Sequence, residues 1–255
     1  MNETKFDGMG KSYAKYRPTY PQAFISYLVS DVGITKAGII ADIGSGTGIL
    51  TKQLLRACLV PSKVIAVEPN DDMRAVAEAD LSGYENFTSI NGTAENTTLA
   101  SHSVDFISVA QAFHWFDRAA FKAECKRILK PNGKAILVWN SRVIGTRAVD
   151  DCDKINQKYC PNFRGFAGGM HITEEEHSCF SDFFIGGCEV KIFDNNMTFD
   201  LDGFIGRTLS ASYALKEDDK NYSAYIAELV ECFNRHATDG KMIVLNETRS
   251  YVGKV

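Results

Sequence analysis

The stretch Ile39 to Leu50, IIADIGSGTGIL, constrains the fold more than any other part of the chain. An apolar run ends at the acid Asp42. Gly44, Gly46 and Gly48 then alternate with Ser45 and Thr47, and an apolar pattern resumes at Ile49. This predicts a buried strand, a tight glycine-rich turn and a helix start. A turn of this build ordinarily holds a nucleotide, so the question is which nucleotide, and whether phosphates are involved.

The pattern repeats downstream. KVIAVE, beginning at Lys63, predicts a second buried strand. Asn70 is placed to cap the helix DDMRAVAEA, whose first-turn acids suit the helix dipole. YENFTSI alternates more and predicts a third strand nearer an edge. VDFISVA predicts a fourth, and KAILVWN a fifth after a helix stopped by Pro131-Asn132-Gly133. Continuous apolar strands alternating with helices predict a parallel sheet covered on both faces. Two late segments, CEVKIFDNNMTFDL and KMIVLNETRSYVG, are suited to pair antiparallel at one edge. The expected class is therefore α/β: a Rossmann-like, doubly wound, mostly parallel seven-stranded sheet with an antiparallel edge and a helical cap insertion. Residues 1–34 form an N-terminal helical segment, 35–140 the core, 141–187 the cap, and 188–255 the strands and helices that complete the sheet.

With 255 residues and 45% hydrophobic content the chain can bury one large core. Its net charge is −4 with no basic stripe, which disfavours nucleic acid as a partner. No apolar run reaches membrane-spanning length and the first residues lack the apolar centre of a signal peptide, so a cytoplasmic location is expected. The seven cysteines have no paired CxxC spacing and read as reduced thiols. Cys152, Cys160, Cys179 and Cys188 with His171 and His177 match no common zinc pattern, so no metal is expected.

Three nucleotide readings compete for the turn. A P-loop would need a glycine where Lys5 stands ahead of Gly10-Lys11-Ser12, and no strand precedes it. A dinucleotide fold would need its third glycine at Ile49, whereas Gly48 comes one residue early. The actual spacing, Asp42-x-Gly44-x-Gly46-x-Gly48, resembles motif I of the class I S-adenosylmethionine-dependent methyltransferases. That ligand carries a sulfonium, an ammonium, a carboxylate and a ribose diol, and no phosphate. Small residues let the backbone approach it, and Asp42 supplies a negative charge beside a cation.

The resemblance implies further cofactor contacts. Glu68, with Pro69 after it, ends the second strand about twenty residues on, where an acid accepts both ribose hydroxyls. Met73 is placed to pack on the adenine. NGTAENTTL resembles the adenine-binding turn, with Thr93 where relatives often have Asp, Ala94 offering its N–H and Glu95 following. Ala110 and Gln111 stand at the methionine tail. Together YAKYRPTYP and QAFHWFD resemble a narrower small-molecule branch, the trans-aconitate methyltransferase-like proteins, in which the N-terminal segment folds over the cofactor. Tyr13, Tyr16, Arg17 and Tyr20 would then close the site, with Arg17 pairing the cofactor carboxylate.

His114 is the candidate general base, beside Trp115. Trp139, Asn140, Ser141 and Arg142, at the carboxyl end of the fifth strand, should face the acceptor. Arg142, Arg164, His171 and Arg207 are candidates for an anionic substrate, and Phe163, Phe166 and Met170 for a lid. The expectation is methyl transfer from S-adenosyl-L-methionine to a small molecule at oxygen, of a carboxylate or a hydroxyl, leaving S-adenosyl-L-homocysteine. Two alternatives remain at this point: a methyltransferase acting on protein or RNA, and a non-catalytic cofactor-binding regulator. The amino-directed nucleic-acid stretch [DN]-P-P-[YF] is absent, Ala110 to Phe113 occupying its place. Oligomeric state is not set by the sequence.

Overall fold

The structure is a computed structural model that describes residues 16–34, 38–57, 63–165 and 180–255. Its first strand, β1 (Ile39–Ile43), leads through the glycine turn into α2 (Ile49–Ala57), preceded by α1 (Gln22–Ser30). The alternation continues through β2 (Lys63–Val67), α3 (Asp71–Leu81), β3 (Phe87–Ile90), β4 (Val104–Ala110), α4 (Arg118–Ile128) and β5 (Leu129–Arg142). Then come α5 (Arg147–Tyr159), β6 (Ile185–Asp194), β7 (Met197–Phe199), α6 (Leu201–Leu209), α7 (Tyr222–His236), β8 (Met242–Val244) and β9 (Asn246–Lys254).

The main sheet has seven strands in the order β3-β2-β1-β4-β5-β9-β6. The pairs from β3 to β5 are parallel, and β9 runs antiparallel to both β5 and β6. The expected class and antiparallel edge are both present, and the alternating β3 lies at the opposite edge.

Strand alternation sends side chains to two cores. Ile40, Val64, Ile136 and Val138 pack with Phe24, Leu28, Leu54 and Leu81 of the covering helices. Ala41, Ile65, Ile107 and Leu137 pack on the other face with Phe121, Cys125, Phe180 and Phe183. Pro131-Asn132-Gly133 does not separate helix from strand as expected. The helix ends at Ile128, and pairing with β4 jumps from Leu129 opposite Val104 to Lys134 opposite Phe106. A side chain at Gly133 would press on Leu129 and the Asp105 carbonyl, so the loop-out packs against β4.

The late segments differ from their expected form. Each breaks into two strands, at Asn195-Asn196 and at Leu245, and the short halves β7 and β8 pair with each other in a separate sheet. The cap core then joins two distant stretches: Val149, Cys152 and Ile155 of α5 with Phe204, Tyr225, Leu229, Phe233, Met242 and Val244. Helices grouped by sequence with the C-terminal strands therefore pack with the cap. The candidate lid residues Phe166 and Met170 lie outside the described residues.

Candidate functional site

The chain reverses tightly at the carboxyl end of β1. Gly44, Gly46 and Gly48 all have positive φ (67°, 56° and 79°), a conformation that side chains disfavour. Their surroundings assign them different jobs. A Cβ on Gly44 would meet Ala112 at 2.8 Å, and one on Gly48 would meet Leu81 at 2.9 Å, so these two serve close packing. A Cβ on Gly46 would meet nothing within 4 Å, so that backbone is open to a ligand.

This turn forms one wall of an open cleft at the carboxyl ends of β1 and β4. Ser45, Thr47, Ile49 and Leu50 continue that wall. Ala110 and Gln111 contribute from β4, Asn140 from β5, and Arg17, Pro18 and Tyr20 from the segment before α1. Ser45 Oγ and Thr47 Oγ1 are buried and have no hydrogen-bond partner among the described residues. A buried hydroxyl left unpaired is costly, so these two fit a polar ligand seated on the turn.

Glu68 is buried at the end of β2. Its Oε2 accepts from Gly46 N–H at 2.8 Å and its Oε1 from Asn70 N–H at 3.0 Å. The carboxylate thus sits under the turn, where an acid suits a ribose diol. Asn70 caps α3 through Oδ1 to Met73 N–H at 3.0 Å, and Met73 is buried. Pro69 lies between them, and its carbonyl accepts from Arg74.

Asp42 corrects the expectation of a direct ligand contact. It is 1% exposed, and its oxygens accept from Thr51 Oγ1 at 2.6 Å and Ser108 Oγ at 2.7 Å. Burial pushes its carboxyl up to about 6, the two hydroxyls pull it down, and the negative Glu68 nearby raises it again. It can act on a cation only through its field and by holding α2 and β4 against the turn.

The adenine turn is built as a closed loop: Thr93 N–H donates to Asn96 O at 3.1 Å, and Asn96 N–H returns to Thr93 Oγ1 at 3.1 Å. Ala94 is buried, and Glu95 accepts from Asp117 N–H at 3.0 Å, so its carboxylate caps toward α4. Glu124, missed in the sequence, anchors this turn by accepting from Thr97 N–H at 2.8 Å and from Arg127. Burial raises its carboxyl, but the Arg127 and Thr97 hydrogen bonds outweigh that and lower it to about 2.

Gln111 has φ of 59°, unusual for a non-glycine residue. Its Nε2 donates to Asn140 O at 2.9 Å. Arg17 Nη2 donates to Ser210 O at 3.0 Å, and the Tyr16 ring lies against Gly206.

Several expected acceptor residues are placed elsewhere. Trp139 is 1% exposed and packs among Phe113, Phe180 and Tyr251, so it is core. Strand alternation explains this: Asn140, its neighbour, takes the cleft side. His114 and Trp115 form a one-turn 3-10 helix, ring against ring at 4.6 Å, and neither lines the cleft. Arg164 turns back on the Pro161 carbonyl at 3.0 Å. Arg142 lies near Cys152 of α5, away from the cleft lining. Phe163 belongs to the cap core. Tyr13 and His171 lie outside the described residues. The sequence reading did not pick out Pro18, Ile49 or Leu50; the last two were legible as the first helical residues after the turn.

A profile of the methyltransferase domain matches residues 41–137, the stretch that builds β1 to β5. An uncharacterized methyltransferase of Mycobacterium tuberculosis is 39% identical over 131 residues, which are 51% of this chain and 50% of that protein. The chain thus spans about half the length of that relative. An uncharacterized methyltransferase of Oceanobacillus iheyensis is 30% identical over 163 residues, covering 62% of this chain and 71% of the relative. A solved structure from Anaeromyxobacter dehalogenans, a candidate type II methyltransferase, superposes with a TM-score of 0.71 at 22% identity, over 94% of this chain and 98% of that one, which speaks for the fold. With the three-glycine turn after Asp42, the acid at the end of β2 and these matches together, the chain belongs to the S-adenosylmethionine-dependent methyltransferases.

Proposed function

We propose that the chain moves the methyl group of S-adenosylmethionine onto a carboxylate oxygen of a small-molecule acid and releases S-adenosylhomocysteine. The carrying observation is the cleft lining, in which, among the described residues, no carboxylate, imidazole or amine faces the acceptor, the Glu68 carboxylate lying beneath the turn and engaged by the Gly46 and Asn70 N–H groups. A hydroxyl or amine acceptor ordinarily needs such a group to take its proton. A carboxylate is already ionised at neutral pH and needs none.

When bound, the cofactor supplies an electrophilic methyl group on a sulfonium. The chain's own residues bind, orient and dehydrate. Ser45 and Thr47 offer their buried hydroxyls, Gly46 its open backbone, and Glu68 its carboxylate to the ribose. Arg17, the charged side chain of the lining, suits the carboxylate of the amino-acid tail beside Ala110 and Gln111. The segment from Tyr16 to Tyr20 roofs the cleft and limits water. Orientation of this kind lowers a displacement barrier by up to roughly 7–11 kcal/mol in favourable cases.

A net charge of −4 weighs against a polyanionic substrate. That, with the roofed cleft, supports a small acceptor and a place near the trans-aconitate methyltransferase-like branch. Among the described residues no helix is long and apolar enough to cross a membrane, which is compatible with the proposed cytoplasmic location.

Titration calorimetry with S-adenosylmethionine tests the first step. A metabolite-extract screen with methyl-labelled donor tests the second. The label should appear in small molecules and be released by mild alkali, as a methyl ester is. Alkali-stable label would defeat the carboxylate reading, and label confined to protein or RNA would defeat the small-molecule one.

A further inference from the structure

The segment Tyr16 to Tyr20 is a strap whose anchor points belong to different parts of the fold. Tyr16 rests on Gly206 of α6, and Arg17 donates to the Ser210 carbonyl at 3.0 Å. Tyr20 N–H donates to Gln53 Oε1 at 2.9 Å, and Gln53 Nε2 returns to the Tyr20 carbonyl at 2.7 Å. Between them stands Thr19, which is exposed and has no apolar burial to hold it. Its carbonyl accepts from two side-chain amides, Asn195 Nδ2 at 3.0 Å and Asn140 Nδ2 at 3.3 Å.

The two amides are held in one orientation. Asn140 faces Thr248 across the antiparallel β5–β9 pair, and Thr248 is fully buried with its hydroxyl donating to Asn140 Oδ1. Asn195 Nδ2 donates to the same Oδ1 at 3.1 Å. With Oδ1 committed to donors, the Asn140 amide can present only its N–H side to Thr19. The Asn140 backbone carbonyl meanwhile accepts from Gln111 Nε2, steadying a cleft residue that sits at a costly positive φ.

We propose that Asn195, acting with Asn140 and Thr248, is a latch: a set of positioning residues that holds the strap closed and ties that closure to the Gln111 side of the cleft. Its geometry stands alone, while its consequence for ligand affinity rests on the cofactor reading above. Asn195 lies in the turn between β6 and β7, where the main sheet passes into the cap, so the latch joins strap, sheet and cap at one carbonyl.

The test is Asn195→Asp, which removes the donor and sets a carboxylate oxygen beside two acceptors. Two quantities are read in the whole chain: hydrogen exchange at the Tyr20 amide by NMR, and the Kd of S-adenosylhomocysteine by calorimetry. Tyr20 exchange should quicken at least tenfold and the Kd should rise about tenfold. Thr248→Val should give the same changes at about threefold, and Thr248→Ser, which restores the hydroxyl, should return both to wild type. A general packing defect would not be repaired by serine. If Asn195→Asp melts below the assay temperature, Asn195→Ala gives the same readouts without the added charge. Unchanged Tyr20 exchange overturns the latch, and quicker exchange with unchanged affinity overturns its service to the ligand. A wild-type chain that binds no S-adenosylhomocysteine sinks the cofactor reading instead, and Tyr20 exchange still decides the latch.

Discussion

From Ile39 to Arg142, strands that follow one another in sequence are neighbours in the sheet, except where the chain crosses from β3 over β2 and β1 to β4, and each turn between them does one local job. The cap is built the other way. Cys152 and Cys232 face each other at 3.8 Å, and Tyr225 OH donates to Asn156 Oδ1 at 2.7 Å, both pairs joining α5 to α7 across a long sequence separation. The first region concentrates its specificity in backbone conformation, and the second in side-chain pairs brought together late. A substitution in the turn should therefore strike ligand affinity first, whereas one in the cap should strike stability first.

The sharpest way to break this contrast is Gly46→Leu. The side chain would project into the open cleft at a positive φ. We expect S-adenosylmethionine binding to weaken a thousandfold or more in calorimetry, with a melting shift set only by the left-handed strain of about 1–2 kcal/mol. Near-normal affinity would show that the backbone at Gly46 is not where the ligand rests.

Asp42→Asn probes the same region from below. The Asp42 carboxyl is raised from 3.8 to about 6, so between those values the folded chain binds more protons than the unfolded one. Stability from this group is then largest at low pH and falls as pH rises through that window, by about 3 kcal/mol in all. Urea unfolding at pH 4 and pH 6.5 should show that loss in the wild type relative to Asp42→Asn. Glu124 runs in the opposite sense: its lowered carboxyl stabilises the fold above pH 4.5, and this is lost as pH falls toward 2. Comparing each pH with the variant cancels that contribution.

On the cap side, Tyr225→Phe removes the hydroxyl that satisfies the buried Asn156. Unfolding free energy should fall by about 2 kcal/mol while cofactor affinity stays within twofold. A larger loss of affinity than of stability would erase the distinction between the regions. The smallest effect is expected for Asn70→Ala, which deletes the α3 cap and should cost about 1 kcal/mol in a thermal melt.

The same contrast explains what could be read before the structure. Strands β1, β2, β4 and β5 are continuous apolar runs, and the three glycines fix the turn by local sterics, so both were legible residue by residue. Trp139 was misplaced because its position at a strand end is visible in sequence, but the face it takes depends on register with β9. Asp42 was legible as an acid near the ligand. Its burial against Thr51 and Ser108 was not, since that depends on how α2 and β4 approach. Thr248 and Asn195 carried no signal at all: Thr248 acquires meaning only when the β5–β9 pairing sets it beside Asn140, and Asn195 only when the β6–β9 pairing brings the end of β6 there.

The position of β9 has a consequence for the order of assembly. It fills the place between β5 and β6, and among the described residues β6 pairs with no other strand of the sheet. On a ribosome, β1 to β5 can therefore zip together while the cap is still being made, but β6 must wait unpaired until residues 246–254 emerge. Until then both its sides lack a partner, and even in the finished sheet it is the edge strand, with Ile185 and Ile192 exposed along it.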